Sequence, residues 1–270
     1  MFQLFNDEKF IPGDSIKGVK VVGMLTFLTR KGDEIILKVG ISPVSEKNAL
    51  ANIEVEVPDW NFEKVVFNAH NRWNKELGKI IVTGKNENYL RTFYTALYHS
   101  YTHPVLFNDN NGDYRGTDKQ VYTNPGFTNY SVFSLWDTYR AEQPLFTLIQ
   151  PERVNDMVNT MLNIYKQQGK LPIWHLMGNE TDCMVGYSAI PVIADAYFKG
   201  FNGFDVNLAF EAMKTSSTRE DYGMKFLKEK GFIPADKEKE SVSKAMEYCI
   251  SDWCIAQLAK KLDKMQDYEG

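Results

Sequence analysis

The sequence predicts a mixed fold: a short β-rich region, a bridging helix, then a long all-α region. Three observations carry that expectation. Residues 18–57 are rich in β-branched side chains and partly alternate apolar with polar. After Asn86 the apolar residues recur every three or four positions. The later segments alternate between apolar on nearly every face and apolar on one stripe, which suggests two concentric layers of helices, an α/α toroid.

In chain order, "VKVVGMLTFLT", "EIILKVGIS" and "NIEVEVP" are expected strands, with "RKGD" as the turn between the first two. So few strands leave open edges and need partners. A helix from Asn61 to Leu77 follows, anchored by Trp60 and Trp73, and "KIIVTG" reads as one more strand. "NYLRTFYTALYHSYTH" then places Leu90, Phe93, Tyr94, Leu97 and Tyr101 on a helical stripe that Pro104 ends. Phe107 to Asn129 reads as a long polar loop.

"VNDMVNTMLNIYKQQG" is an amphipathic helix stopped by Gly169. "MVGYSAIPVIADAYFKG" is apolar on nearly all faces up to Asp195, so burial on all sides is expected. Amphipathic helices follow near Asp205 to Thr215 and Arg219 to Lys230. In the last helix, Glu240 to Lys261, the expected buried stripe is Val242, Ala245, Cys249, Trp253 and Ala256.

Composition sets bounds on function. A hydrophobic fraction of 43% and an aromatic fraction of 13% support a packed core. The net charge of -4, without blocks of like charge, gives no reason to expect nucleic acid. Cys183, Cys249 and Cys254 are an odd count with no close-spaced pair, which argues against a zinc site or a disulfide framework. All three read as small core residues. The start "MFQLFNDEKF" shows no signal peptide, and no apolar run approaches the ~20 residues that span a bilayer. Either the protein is cytoplasmic or the chain starts inside a longer gene product.

Three clusters have residue types suited to chemistry. In "GDYRGTDKQVY", Asp113, Arg115 and Asp118 suit a polyol or a calcium ion, although an EF-hand pattern is absent; the alternative is a solvated turn. In "YSVFSLWDTYRAEQPL", Asp137 sits among Phe133, Leu135, Trp136 and Tyr139, so a helix there buries it at least partly, with Arg140 three residues on. That pairing is either a structural ion pair or a sugar grip, with aromatic rings against the C–H face and charged groups on the hydroxyls.

The third cluster is "WHLMGNETDCM". Thr181 is expected to cap the following helix, with Glu180 near that helix's positive end. Alternatively, Trp174, His175, Asn179 and Glu180 line a turn that opens onto the funnel of a toroid. A lone His175 without a matched partner is expected to be hydrogen-bonded rather than to ligate a metal.

The stretches "FYTALYHSYTHP", "DYRGTD", "FSLWDTYRAEQPL", "GNETDCMVGY", "PVIADAYFKG" and "EYCISDWCIAQLAKKL" run in order from about Glu87 to Lys261. Together they resemble glycoside hydrolase family 92, the calcium-dependent exo-acting α-mannosidases. "ILKVGISPVSEKNALANIEVEVPDWNFEKV" is similar to the end of that family's N-terminal β-sandwich and its entry into a linker helix.

The resemblance implies a β-sandwich joined to an (α/α)6 barrel. Residues 1–58 would then be the last part of the sandwich, 59–85 a linker helix and strand, and 86–270 the first part of the barrel. It implies hydrolysis of terminal α-mannosides with inversion, an acid protonating the leaving oxygen while a base activates water. It implies a calcium ion on the sugar hydroxyls, for which no ligand is identified in this chain. Mannose-containing glycans are the implied partners, along with missing portions of the same enzyme, and the implied location is periplasmic or secreted.

The family's acid and base motifs are expected beyond Gly270, so the chain alone is expected to be inactive. Carried over by position, Trp136 and Asp137 fall in the substrate-pocket motif and Glu180 on the same funnel. With Arg140, Trp174 and Thr181 they form the expected substrate-binding set. Ser188 stands where many relatives carry histidine. Two other readings stay open: a carbohydrate-binding or decayed fragment without catalysis, and another inverting (α/α)6 glycosidase acting on glucosides.

Overall fold

The computed structural model describes residues 1–269, which divide into two compact units, Met1–Lys38 and a second from Val39 onward. The first is a three-stranded antiparallel sheet in the order β2-β1-β3, with β1 at Phe2–Asn6, β2 at Lys9–Ile11 and β3 at Val21–Leu25. Asp7 and Glu8, both at positive φ, make the tight turn between β1 and β2. Leu4 pairs with Ile11 on one side and Gly23 on the other, and is the buried residue of the unit.

Two expected strands do not form. "EIILKVGIS" forms no strand, although the "RKGD" turn is present, closed by Asp33 N–H to the Arg30 carbonyl at 3.1 Å. "NIEVEVP" falls largely within a helix, α1 (Glu46–Glu56). The Ile-Glu-Val-Glu-Val alternation suggested a strand, but Ser45 caps the segment by accepting from Asn48 N–H at 3.1 Å. Asn48, Ala49, Asn52 and Ile53 then form its less exposed stripe. Gly40 lies close against α1: a Cβ there would sit 2.3 Å from the Ala49 carbonyl oxygen.

Two more helices follow, α2 (Phe62–Leu77) and α3 (Glu87–Ser100), each capped by an asparagine side chain, Asn61 and Asn86. Trp73 packs on Tyr98 with ring centroids 4.5 Å apart, whereas Trp60 is 61% exposed and lies outside the core. "KIIVTG" is not a strand. With no neighbouring strand to pair, its Ile80 carbonyl and Val82 N–H both bond the Tyr94 hydroxyl, at 3.1 and 3.2 Å.

The polar stretch after Pro104 is ordered. β4 (Val105–Leu106) pairs with β7 (Tyr130–Ser131), and β5 (Tyr114–Arg115) with β6 (Val121–Tyr122) in a small hairpin. Asp109, 2% exposed, accepts from Ser42 Oγ, Asn48 Nδ2 and Asn52 Nδ2 at 2.7, 2.8 and 2.8 Å. One carboxylate thus ties this loop to the segment around α1.

The remaining elements are β8 (Phe133–Ser134), α4 (Leu135–Thr138), α5 (Glu142–Ile149), α6 (Pro151–Gln168), β9 (Trp174–Leu176), β10 (Asn179–Glu180), α7 (Ala189–Phe198), α8 (Val206–Ser217), α9 (Met224–Lys230), α10 (Ser241–Lys261) and α11 (Met265–Glu269). Pro151 opens α6 and Gly169, left-handed at φ 79°, closes it. The nearly all-apolar α7 is packed by α5, α6, α8 and α10, burying Ile190, Val192 and Ile193. Asp205 caps α8 by accepting from the N–H groups of Asn207 and Leu208.

α10 presents a different face to the core from the one expected. Lys244, Tyr248, Ser251, Ile255 and Leu258 are buried, while Val242, Cys249 and Trp253 are exposed. The buried face was hidden in the sequence by its polar members. Lys244 buries its stem and pairs with Glu238, and Tyr248 stacks on Tyr187 at 5.1 Å. Of the three cysteines only Cys254 is a core residue, its thiol pushed up to about 11 by burial; Cys183 and Cys249 are exposed. No described helix is long and apolar enough to cross a membrane.

Candidate substrate-binding site

A three-stranded antiparallel sheet, in the order β10-β9-β8, unites two of the three sequence clusters. Phe133 pairs with His175 and Ser134 with Trp174; on the other side of β9, His175 pairs with Glu180. Met177 and Gly178, at φ 48° and 73°, form the two-residue turn between β9 and β10. Lys119, from the loop between β5 and β6, donates to the Gly178 carbonyl at 2.6 Å and to the Asn179 side chain. The register sets Ser134, the residue before α4, opposite Trp174, so the segment that carries Trp136, Asp137 and Arg140 starts from the sheet that holds Trp174 and Glu180.

Glu180 is held by backbone. Its Oε2 accepts from Ile173 N–H at 2.9 Å, and its Oε1 from the N–H groups of Trp174, Thr181 and Asp182 at 2.8, 3.0 and 3.0 Å. Four donors around one carboxylate fix the chain on both sides of the hairpin. The expected helix-start role does not hold for Thr181 or Glu180, because α7 begins only at Ala189. Thr181 instead donates its hydroxyl to the Trp174 carbonyl at 2.8 Å. Ser188, next to that helix start, is 3% exposed and makes no side-chain cap bond.

His175 is 3% exposed between two hydroxyls, with Ser131 Oγ 3.2 Å from Nδ1 and Thr117 Oγ1 3.2 Å from Nε2. Burial, aided by the charge of Lys119, pushes its pKa down to about 4, so the ring is neutral near pH 7. This is the hydrogen-bonded histidine that the sequence suggested.

Asp137 is exposed, where a helix was expected to bury it. α4 is a single turn at the edge of the helical core, and Asp137 accepts from the Ser134 hydroxyl rather than pairing with Arg140. Arg140 pairs instead with Glu247 of α10, a residue sequence reasoning missed. Glu247 also accepts from Trp136 Nε1 at 3.1 Å and from the Tyr139 hydroxyl at 2.9 Å. More than a hundred residues separate the partners, and no local spacing signals such a contact. Nearby, Glu142 keeps a buried Oε1 without a hydrogen-bond partner, and burial together with the charge of Asp137 pushes its pKa up to about 7. It lies within "FSLWDTYRAEQPL", yet nothing in the pattern distinguished it from a helix-start charge.

The first cluster gives no calcium site. Asp113 accepts from Asn48 and Asn111, and Asp118 from the Tyr122 hydroxyl and Gln120 N–H. Among the described residues, no group of three or more His, Cys, Asp and Glu side chains converges to hold a metal ion.

The Trp136 indole under the Arg140 guanidinium, close in sequence to the exposed Asp137 carboxylate, offers the residue types that recognise polyhydroxylated rings. Residues 48–270 match the catalytic domain of glycosyl hydrolase family 92. The chain belongs to that family.

Among solved structures it is similar to the family GH92 α-mannosidase BT3965 of Bacteroides thetaiotaomicron, at 40% identity and a TM-score of 0.89, over 99% of this chain and 38% of that one. The inverting mannosidase BT2199 of the same organism is 26% identical with a TM-score of 0.85, over 99% and 38%. A secreted glycosidase of Arthroderma benhamiae, itself uncharacterized, is 31% identical over 84% of this chain and 28% of its own length. The chain thus spans well under half of each of these relatives.

Proposed function

We propose that these residues form the sugar-holding part of an α-mannosidase that removes terminal α-mannosyl units from glycans. The observation that supports this reading is the β8-β9-β10 sheet, which pairs Ser134, just before Trp136 and Asp137, with Trp174, and His175 with Glu180, within a segment matched to family 92. Asp137 is assigned the sugar hydroxyls, since its carboxylate is exposed and accepts from the Ser134 hydroxyl alone among the hydrogen bonds described. Trp136 and Trp174 are assigned the C–H faces of the ring. Glu180 shapes the pocket wall through the backbone it clamps, its carboxylate oxygens being occupied by four backbone N–H donors.

The reading takes the reaction to be inverting, with a water molecule between acid and base, consistent with the name of one relative. It places that acid and base, and any calcium ligands, on other segments of the full-length protein. BT3965 has also been solved with mannoimidazole, which supports a mannose-shaped pocket in this family. The name of the fungal relative supports a secreted or periplasmic setting.

The test is hydrolysis of an aryl α-mannoside with calcium present. The 270-residue chain should show no turnover and the full-length protein should; robust turnover by the chain alone would sink the assignment of acid and base elsewhere. In the full-length protein, Asp137→Ala should lower kcat/KM at least tenfold, about 1.4 kcal/mol. A smaller loss removes Asp137 as a sugar ligand.

A further inference from the structure

We propose that Glu247 is the positioning residue of this pocket: its single carboxylate, delivered by α10, sets the orientation of Trp136, Tyr139 and Arg140 together. The inference rests on the sugar-binding reading above and adds to it a residue distant in sequence.

Glu247 Oε1 accepts from the Trp136 indole N–H and pairs with the Arg140 guanidinium, while Oε2 accepts from the Tyr139 hydroxyl. The Glu247 side chain is 11% exposed and that of Arg140 45% exposed, so the pair forms the inner edge of the cluster. The Arg140 guanidinium carbon stands 4.9 Å from the Trp136 ring centroid and 4.4 Å from that of Tyr139. With the guanidinium over one face of the Trp136 indole, a sugar stacking on that indole would use the opposite face. Which face that is depends on where Glu247 holds the arginine.

The support behind Glu247 is also specific. Gly186, left-handed at φ 83°, passes so near that a Cβ there would lie 2.7 Å from Glu247 Cβ. The next residues on each side, Tyr187 and Tyr248, stack at 5.1 Å. The carboxylate is therefore fixed from behind before it meets its three donors. Tyr139 responds to this arrangement: burial and then the Glu247 charge push its hydroxyl up to about 12, keeping it a donor.

The test compares Glu247→Gln with wild type in the full-length protein by two measurements. In ¹⁵N–¹H spectra, the indole N–H of Trp136, identified as the signal lost in Trp136→Phe, should shift in Glu247→Gln because its carboxylate acceptor has become an amide. In aryl α-mannoside kinetics, KM should rise at least tenfold with kcat changed less. Adding Arg140→Gln to Glu247→Gln should cost little more than either alone, since the two act as one unit. An unmoved Trp136 indole, an unchanged KM, or fully additive effects would each overturn the proposal. If wild type turns over no mannoside but the indole shifts, the anchor stands and the mannosidase reading falls.

Discussion

Two helices of similar length, α2 and α6, differ sharply in what they bury. Both are amphipathic, and both carry an acidic residue in the first turn and a lysine in the last. Yet α6 buries Val154, Met157, Val158, Met161, Leu162 and Ile164, while α2 buries none of its residues and leaves Phe62 and Phe67 63% and 64% exposed. Periodicity reports that a face is able to pack; it does not report whether a partner stands opposite. For α6 the partners α5, α7 and α8 lie within this segment. For α2, contact with α3 through Trp73 and Tyr98 leaves Phe62 and Phe67 in the open.

The largest expected effect separates these helices directly. Leu162→Ala should destabilise by about 2–5 kcal/mol, because the vacated core space is enclosed. Phe67→Ala should cost no more than about 0.5 kcal/mol, despite removing a larger group. Denaturant midpoints measure both, and equal costs would show that α2 is covered after all.

The densely packed region should also show its burial through pH. His175 is held neutral in the fold, so its contribution is complete above about 6.5 and is lost as pH falls toward 4, a change of roughly 3 kcal/mol. His175→Gln should flatten the pH dependence of Tm in that window whatever it does to Tm itself. A slope that persists undiminished would mean that other groups, not His175, carry the pH dependence.

Glu142 should act in the opposite direction and more weakly. Its folded pKa of about 7 lies above the usual carboxylate value, so its contribution is complete below about 4.5 and is lost as pH rises toward 7. Being only partly buried, it should account for on the order of 1 kcal/mol once solvent screening is allowed for. Glu142→Gln should therefore raise Tm at pH 7.5 and leave it nearly unchanged at pH 4.5, as calorimetry can check. A Tm gain of the same size at both pH values would refute the titration.

The sequence was most legible where a cap and a stripe coincide. α6 with Gly169 and α8 with Asp205 lie within three residues of expectation. It misled where tertiary contact overrode local pattern. α1 is a helix partly because the Asn48 and Asn52 amides reach Asp109, some sixty residues away. The face of α10 was misjudged because Lys244 and Ser251 are buried with partners, and a composition stripe counts them as solvent-facing. In the candidate site, Trp136, Asp137, Trp174 and Glu180 were visible as residue types in a cluster. Their organiser was not, because Glu247 declares itself only once α10 is folded against α4.

Asp109 has a consequence for how this molecule would open. The loop it fastens reads Asn-Asp-Asn-Asn-Gly-Asp from Asn108 to Asp113, with no apolar side chain. Releasing it would expose polar groups and almost no hydrocarbon, so the heat capacity would scarcely change. Calorimetric curvature is therefore blind to this opening. Amide hydrogen exchange is not: the Asn110 N–H, bonded across the clasp to the Asn52 side-chain oxygen at 2.9 Å, would lose its protection as soon as the clasp parts.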